Sequence, residues 1–376
     1  MVATQRFSLK DHLFNEETVG RLGGMLADAD PSFDRESFMA SVLEAMPDLE
    51  LKQRITMISD LLGEQLPNNF EQAVVVIENA LPPPLDPSLS DDDFGDFIIA
   101  PLGDYVVRRG MALADYDRSI ALLKELTMRF SMEGYVRPFL VEYPEPTMAT
   151  LAVWAEDPNY HVRRLVSEGT RPRLPWAPRI PIDIEAPIPL LDRLFADPTR
   201  FVTRSVANHL NDISKIDSDL AISTLQRWQD ASIQDSKELE WMTRHALRSL
   251  VKQGDSGAMR LLGYSPTPAI EVDSLVTDEV ARIGDQLVFS VTVTARADER
   301  LLVDYIIEFV KKNGSTRPKV FKLKVFEMSD GETRTLEKRH RLPASATTFT
   351  LYPGRHSLSV MINGNSLATT EFELVE

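Results

Sequence analysis

No cysteine occurs in the 376 residues. That absence removes disulfide scaffolds, thiolate zinc sites, iron–sulfur clusters and cysteine nucleophiles from consideration. Long apolar runs are missing too, since nothing approaches the ~18–20 residues needed to span a bilayer. The amino terminus, MVATQRFSLKDHLFNEE, is polar, so no secretory leader is expected and the chain reads as cytoplasmic, with no membrane partner. Histidine is scarce, and His12, His161, His209, His245, His340 and His356 show no metal-ligand spacing, so no metal is expected. The phosphate-cradling glycine loops, the G-x-S-x-G elbow and the H-E-x-x-H helix are likewise absent, and no cofactor, nucleotide or other, is assigned.

Positive charge is in deficit. Lysine and arginine number 41 against 57 acidic residues, and a net charge of −16 argues on its face against a nucleic-acid partner. The deficit is uneven: residues 1–100 hold 6 basic and 19 acidic groups, whereas residues 101–250 hold 19 and 21. Between residues 151 and 200 seven arginines stand without one lysine. A guanidinium is a planar fork suited to phosphate, while a merely solvated face mixes in lysine. DNA therefore remains a candidate partner.

Apolar residues recur at three- and four-residue spacing in VGRLGGMLADA, ESFMASVLEAM and QRITMISDLLGEQL, which predicts amphipathic helices. Pro82, Pro83 and Pro84 break that pattern, and Asp91 to Asp93 read as a solvated acidic loop. Helical periodicity resumes at YDRSIALLKELTMRFSM and runs to about Leu262. Within it lies a repeat. WAEDPNYHVRRLVSEG and LFADPTRFVTRSVANH each show an apolar helix end, an Asp-Pro turn and a helix opening with Val-x-Arg, and EWMTRHALRSLVKQ is a weaker third copy. Arg164, Arg204 and Arg244 fall forty residues apart, with Glu168, Asn208 and Arg248 one turn further along the same face. Two helices per forty residues is the arithmetic of a HEAT-like α-α solenoid.

After Gly263 the texture changes. QLVFSVTVTA, VDYIIEFV, KVFKLKVFEM, TTFTLY and HSLSVMI are short and β-branched, separated by Gly-, Asn- and Asp-containing turns. About seven such strands predict an immunoglobulin-like β-sandwich. The expected architecture is thus mainly α with a β domain: a helical repeat domain over 1–266 and a sandwich over 267–376. Lys319, Lys322 and Lys324 stand close together on one strand, either against a duplex or as protection of a sheet edge.

The segment HVRRLVSEGTRPRLPWAPRIP carries the most unusual chemistry. Val162, Leu165 and Val166 would face the core, leaving Arg164 and Glu168 on a shared exposed face. Gly169 can close the helix, and prolines at 172, 175, 178 and 181 stiffen the adjoining stretch, which bears Arg171, Arg173, Trp176 and Arg179. An indole on a stiff segment loses less entropy on stacking against a ligand. Two readings stay open for each group: Trp176 stacks on a ligand or packs between helices, and Glu168 is catalytic or pairs with Arg164. Arg164, Arg171, Arg204, Arg244 and Arg248 contact phosphate or join adjacent repeats. Asn208 and Asp212 line a cleft or cap a helix end.

HVRRLVSEGTRPRLPW, LPPPLDPSLSDDDFGDF, FSLKDHLFN, RPFL and SVANHLNDISK together resemble the AlkC branch of the HEAT-like-repeat alkylpurine DNA glycosylases, over essentially the whole chain. The resemblance implies excision of cationic N3-alkylated bases, chiefly 3-methyladenine with 3-methylcytosine in the same class, from double-stranded DNA without base flipping. A bacterial, nucleoid-associated repair enzyme is expected, and nothing in the sequence demands more than a monomer. By motif, Glu168 corresponds to the principal catalytic carboxylate, Trp176 to an aromatic wall beside the sugar and Glu133 to a second acid of the cleft. Gly134 departs from the aromatic residue expected there, and Tyr135 is a candidate replacement at the DNA. Pro158 stands where the related AlkD branch needs an aspartate after Trp154, so that site is not reproduced. Two other functions use the same residues: a non-enzymatic binder of distorted or branched DNA, and a solenoid scaffold for protein partners.

Overall fold

A computed structural model describes residues 7–89, 91, 93–346 and 349–376. Helices run from Leu9–Leu13 to Ser256–Leu261, and the strands begin at Ile270. Helix starts reflect local chemistry. Asn15 accepts from the Thr18 amide at 3.1 Å while Thr18 Oγ1 accepts from the Asn15 amide at 3.0 Å, a reciprocal box that opens Glu16–Ala29.

The two clearest repeats form as expected. Helices Pro144–Trp154 and Tyr160–Gly169 flank one Asp-Pro turn, and Ile188–Leu194 and Arg200–Ile213 flank the other. In the first turn Asp157 Oδ1 accepts from the Asn159 amide at 2.8 Å; in the second Asp197 Oδ1 accepts from Thr199 at the same distance. Each aspartate also receives a cation from earlier in the chain, Lys124 for Asp157 and Arg163 for Asp197, both at 2.5 Å. The turn residues therefore double as latches between repeats.

The proline break lies where expected, but its acidic part is not simply solvated. Leu85 and Asp96 donate backbone N–H groups to Met128 and Arg129 carbonyls at 2.9 and 3.0 Å, tying the extended segment to the helices. Gly95, at φ +78°, is required there, because a Cβ would fall 1.9 Å from the Arg129 carbonyl oxygen. This places Asp91 2.8 Å from Arg204 Nη2, Asp93 3.9 Å from His161 and Phe94 edge-on to Phe201. Asp92 lies outside the described residues.

The chain forms two compact units, one comprising the helices up to Ile213 with Ala231–Met242, the other residues 214–230 with 243–376. In the second, Met259 and Tyr264 bury against Leu302. Its strands are β1 Ile270–Thr277, β2 Val280–Arg282, β3 Gln286–Ala295, β4 Glu299–Val310, β5 Thr316–Met328, β6 Thr333–Arg341, β7 Gly354–Ile362 and β8 Asn365–Val375. They form a three-stranded sheet, β1-β3-β6, and a five-stranded sheet, β2-β8-β7-β4-β5, with β5 at an edge. Alternation in β3 turns Leu287, Phe289, Val291 and Val293 inward.

Two strand expectations need correction. Phe349 to Tyr352 are outside any strand, and Thr347 and Thr348 lie outside the described residues. The three lysines of β5 do not form one stripe. Lys319 sits over Phe321 and Phe349, whereas Lys322 lies opposite Asp304 across the ladder, beside an irregularity between Val303 and Asp304. Period-two alternation sends positions 319 and 322 to opposite faces.

Candidate active site

Three helix ends supply the carboxylates. Glu133 opens Glu133–Glu142, Glu168 stands in the last turn of Tyr160–Gly169, and Asp212 in the last turn of Arg200–Ile213. Gly169 permits the first approach: a Cβ there would lie 2.6 Å from Val136 Cγ1. The Thr170 hydroxyl then donates to the Val166 carbonyl at 2.7 Å and ends the helix.

Glu168 is 6% exposed, not on the open face that the pattern predicts. Arg171 Nη1 donates to its Oε1 at 2.5 Å, Ser205 Oγ donates to Oε2 at 2.6 Å, and Arg164 Nη2 lies 3.8 Å from Oε2. Burial alone would raise this carboxyl. The Arg164 and Arg171 charges and the Ser205 and Arg171 hydrogen bonds more than offset it, so Glu168 ionises below its ordinary 4.5. Glu133 shares the same guanidinium, with Oε2 3.6 Å from Arg164 Nη1. Burial, with the Glu168 charge beside it, holds Glu133 above the ordinary value despite Arg164. Its Oε2 is buried without a hydrogen-bond partner. One guanidinium thus stands between two carboxylates pushed apart in acidity.

Arg171 and Arg164 are interior groups. Arg171 sends Nε and Nη2 to Asp212 Oδ2 at 2.9 and 2.7 Å, so its three nitrogens all face carboxylates. It joins two helices, bridging Glu168 at the end of one and Asp212 at the end of the other. Arg164 donates to Ser131 Oγ at 2.7 Å and stacks 4.4 Å from the Phe201 ring. Arg204, its counterpart forty residues on, lies 5.6 Å from the same ring and pairs with Asp91. Asn208 is half-buried. Arg244 and Arg248 belong to the other compact unit, where they line a cavity of about 270 Å³ with Lys252, Asp304 and Lys322. Lys324 is exposed on β5.

Trp176 is 75% exposed and does not pack between helices. Its segment is nevertheless anchored. The buried Arg137 donates from Nη1 to the Gly169 and Arg171 carbonyls, both at 2.9 Å, and from Nη2 to the Pro178 carbonyl at 2.8 Å. Burial, with Arg171 nearby, pulls its pKa down to about 10, so it stays charged at neutrality. Lys52 donates to the Trp176 carbonyl. Arg137→Met would leave these carbonyls without their donor, at ~1–3 kcal/mol each. The expected result is faster tryptic cleavage after Arg173 and Arg179, with a lowered melting temperature; unchanged cleavage would exclude the clamp.

Beside Glu133, a Cβ on Gly134 would meet nothing within 4 Å, so the place expected for an aromatic residue is open. Tyr135 does not fill it, since its ring packs on Gly103, where a Cβ would lie 2.6 Å from Tyr135 Cδ2. Burial, with Asp104 and Glu133 charges nearby, pushes the Tyr135 phenol well above its ordinary range.

Sequence reasoning missed Ser205, Arg137 and His209. A signal existed in the repeat: where the first copy has Leu165 and Gly169, the second has Ser205 and His209. His209 is fully buried, with Nδ1 3.0 Å from the Ser167 carbonyl, which fixes the proton on Nδ1. Burial, then Arg171, lowers it to about 4, leaving it neutral beneath the ion pairs.

Residues 271–376 match a family model described as Uncharacterised protein YhaZ, C-terminal Ig-like domain. Over 368 residues the chain is 34% identical to YhaZ of Bacillus subtilis strain 168, covering 96% of this chain and 98% of the relative. It is similar in structure to the Pseudomonas fluorescens alkylpurine DNA glycosylase AlkC bound to DNA containing an abasic site analog. The TM-score is 0.86 and the identity 33%, over 98% of this chain and 99% of that one. At these identities along nearly the full length of both relatives, the chain belongs to the family of YhaZ and the alkylpurine DNA glycosylase AlkC.

Proposed function

We propose that the protein is a DNA glycosylase that hydrolyses the N-glycosidic bond of cationic N3-alkylated bases, 3-methyladenine foremost, in double-stranded DNA. The observation that carries this reading is the pair Glu168 and Glu133 on either side of Arg164, in a chain that resembles a DNA-bound alkylpurine DNA glycosylase along its length.

Alkylation at N3 makes the base positively charged, so it leaves neutral and needs no proton donor. The remaining demand is a sugar that becomes oxocarbenium-like, and a water to meet it. Glu168, held ionised by Arg164, Arg171 and Ser205, is a fixed negative charge that needs no reorganisation when the sugar becomes cationic. The donors that hold its charge also weaken it as a base. Glu133, whose ion pair with Arg164 spans 3.6 Å, is the more basic carboxylate and takes the proton from water once ionised. Trp176 presents its indole to the sugar cation from a segment that Arg137 keeps in place.

The test is release of free base from a duplex carrying one 3-methyladenine. Wild-type protein should excise it, and Trp176→Ala should slow the single-turnover rate about 2- to 30-fold, the equivalent of a ~0.5–2 kcal/mol cation–π contact. Folding should be unaffected at so exposed a position. No release by the wild type would overturn the assignment.

A further inference from the structure

A second cavity, of about 480 Å³, lies beside the end of β6 and the turn before β3. A sandwich core closes with interdigitated side chains, as Leu287, Phe289, Leu358 and Leu374 do here. The cavity opens at the margin of that core, lined by Phe309, Phe321 and Phe349, which pack against the core cluster, by His340, and by Leu342, Pro343 and Leu351. Phe321 meets His340 edge-on with centroids 4.6 Å apart. Lys319 and Arg341, both exposed, stand at the rim, with Lys319 Nζ 4.1 Å from the Phe349 centroid and 5.5 Å from that of Phe321. Among the described residues Asp285 is the one acid lining it, so the rim keeps a positive balance.

The polar handle inside is fixed. Tyr305 Oη and His340 Nδ1 lie 2.8 Å apart, committing one ring nitrogen and leaving Nε2 as the other hydrogen-bonding atom. Burial, with Lys338 and Lys319 nearby, lowers His340 to about 4, so the imidazole is neutral at physiological pH. The volume falls within the ~300–1,000 Å³ of ordinary ligand sites. Flat walls, one neutral imidazole and a cationic rim match a flat heterocycle that carries an anion. A nucleotide has that chemistry: a base with two stackable faces and a polar edge, and a phosphate beside it.

We propose that this cavity takes one unpaired nucleobase of DNA, stacked among Phe309, Phe321 and Phe349, with its phosphate against Lys319 and Arg341. The inference rests on the reading of DNA as the partner, but concerns a site apart from the carboxylates. Lys319 then acts with the rings around it, and Lys322 and Lys324 have no part in the cavity.

The experiment uses the full-length protein and short fluorescent single strands of otherwise abasic residues, one with an intact central thymidine and one lacking that base too. The wild type should bind the intact strand about tenfold or more tightly than the abasic one, the scale of one stacked base. A 2-aminopurine in the central position should be quenched on binding. Phe349→Ala should abolish both the preference and the quenching, while duplex excision of 3-methyladenine stays at the wild-type rate. Equal wild-type affinity for intact and abasic strands would overturn the proposal without recourse to any variant. So would a preference undiminished in a folded Phe349→Ala protein. Saturation by thymidine monophosphate at concentrations as low as by the strand would assign the cavity to free nucleotides and overturn the DNA assignment. Absent excision with the base preference intact would refute the enzymatic reading alone.

Discussion

Glu168→Gln is expected to cut base excision by about 10²–10³ and to destabilise the protein at the same time. The first effect arises from the proposed role. Replacing a pre-oriented charge with a neutral amide removes stabilisation present only when the sugar is cationic, and losses of that kind run to ~2.7–4 kcal/mol in activation energy. The second arises from the ion network. Arg164 and Arg171 are both buried, and Glu168 is the carboxylate they share. Breaking a buried pair from one side costs ~3–5 kcal/mol, because a charge is left without compensation. Asp212 still holds two nitrogens of Arg171 and Glu133 still lies near Arg164, which directs the expectation to the lower end. The pH dependence has a definite sign. A carboxylate whose folded pKa lies below its ordinary 4.5 contributes stability that is fully present above that value, and loses it as pH falls through the folded pKa. The gap between wild type and Glu168→Gln in urea unfolding should therefore be widest at neutrality and shrink under acid. A variant with wild-type excision, or with equal stability at pH 7, would refute the corresponding half.

The same network shows what was readable in the sequence and what was not. Spacing alone places Arg164 and Glu168 on one helical face, and they do share it. Exposure cannot be read the same way. A polar face looks solvated until its partners are known, and here they are Ser205 and Asp212, 37 and 41 residues beyond Glu168 and Arg171 respectively. Burial of charge depends on such distant complements. The strands divide similarly. β3 has an inward row of apolar residues and is plain. β6, TRTLEKRHR, buries only Leu336 and lies at the edge of its sheet, so it has almost no hydrophobic alternation to read. Arg137 looks like an ordinary helix cation beside Pro138; only the return of residues 169–178 makes it a clamp.

Glu133→Gln should show the opposite coupling, losing activity while gaining stability. Burial, with the neighbouring Glu168 charge, makes the folded protein disfavour ionised Glu133 in spite of Arg164. A carboxyl raised in this way binds its proton more tightly when folded, so stability declines as pH climbs from the ordinary 4.5 through the folded pKa. Glutamine carries no charge to desolvate and escapes that decline. Its opposing cost is a lost anion at the first turn of Glu133–Glu142, ~0.3–1 kcal/mol, and burial is the larger influence on this group. The melting temperature of Glu133→Gln should exceed that of the wild type at pH 7, and the advantage should vanish below pH 4.5. Excision should meanwhile fall by about 10²–10⁴, the usual yield of a positioned proton acceptor. The wild-type rate should rise with pH through the raised pKa of Glu133, and the residual rate of the variant should be flat across that range. A glutamine variant that melts below the wild type at neutrality would show that Arg164, not desolvation, governs this carboxylate. One that excises at full rate would transfer the activation of water to another group.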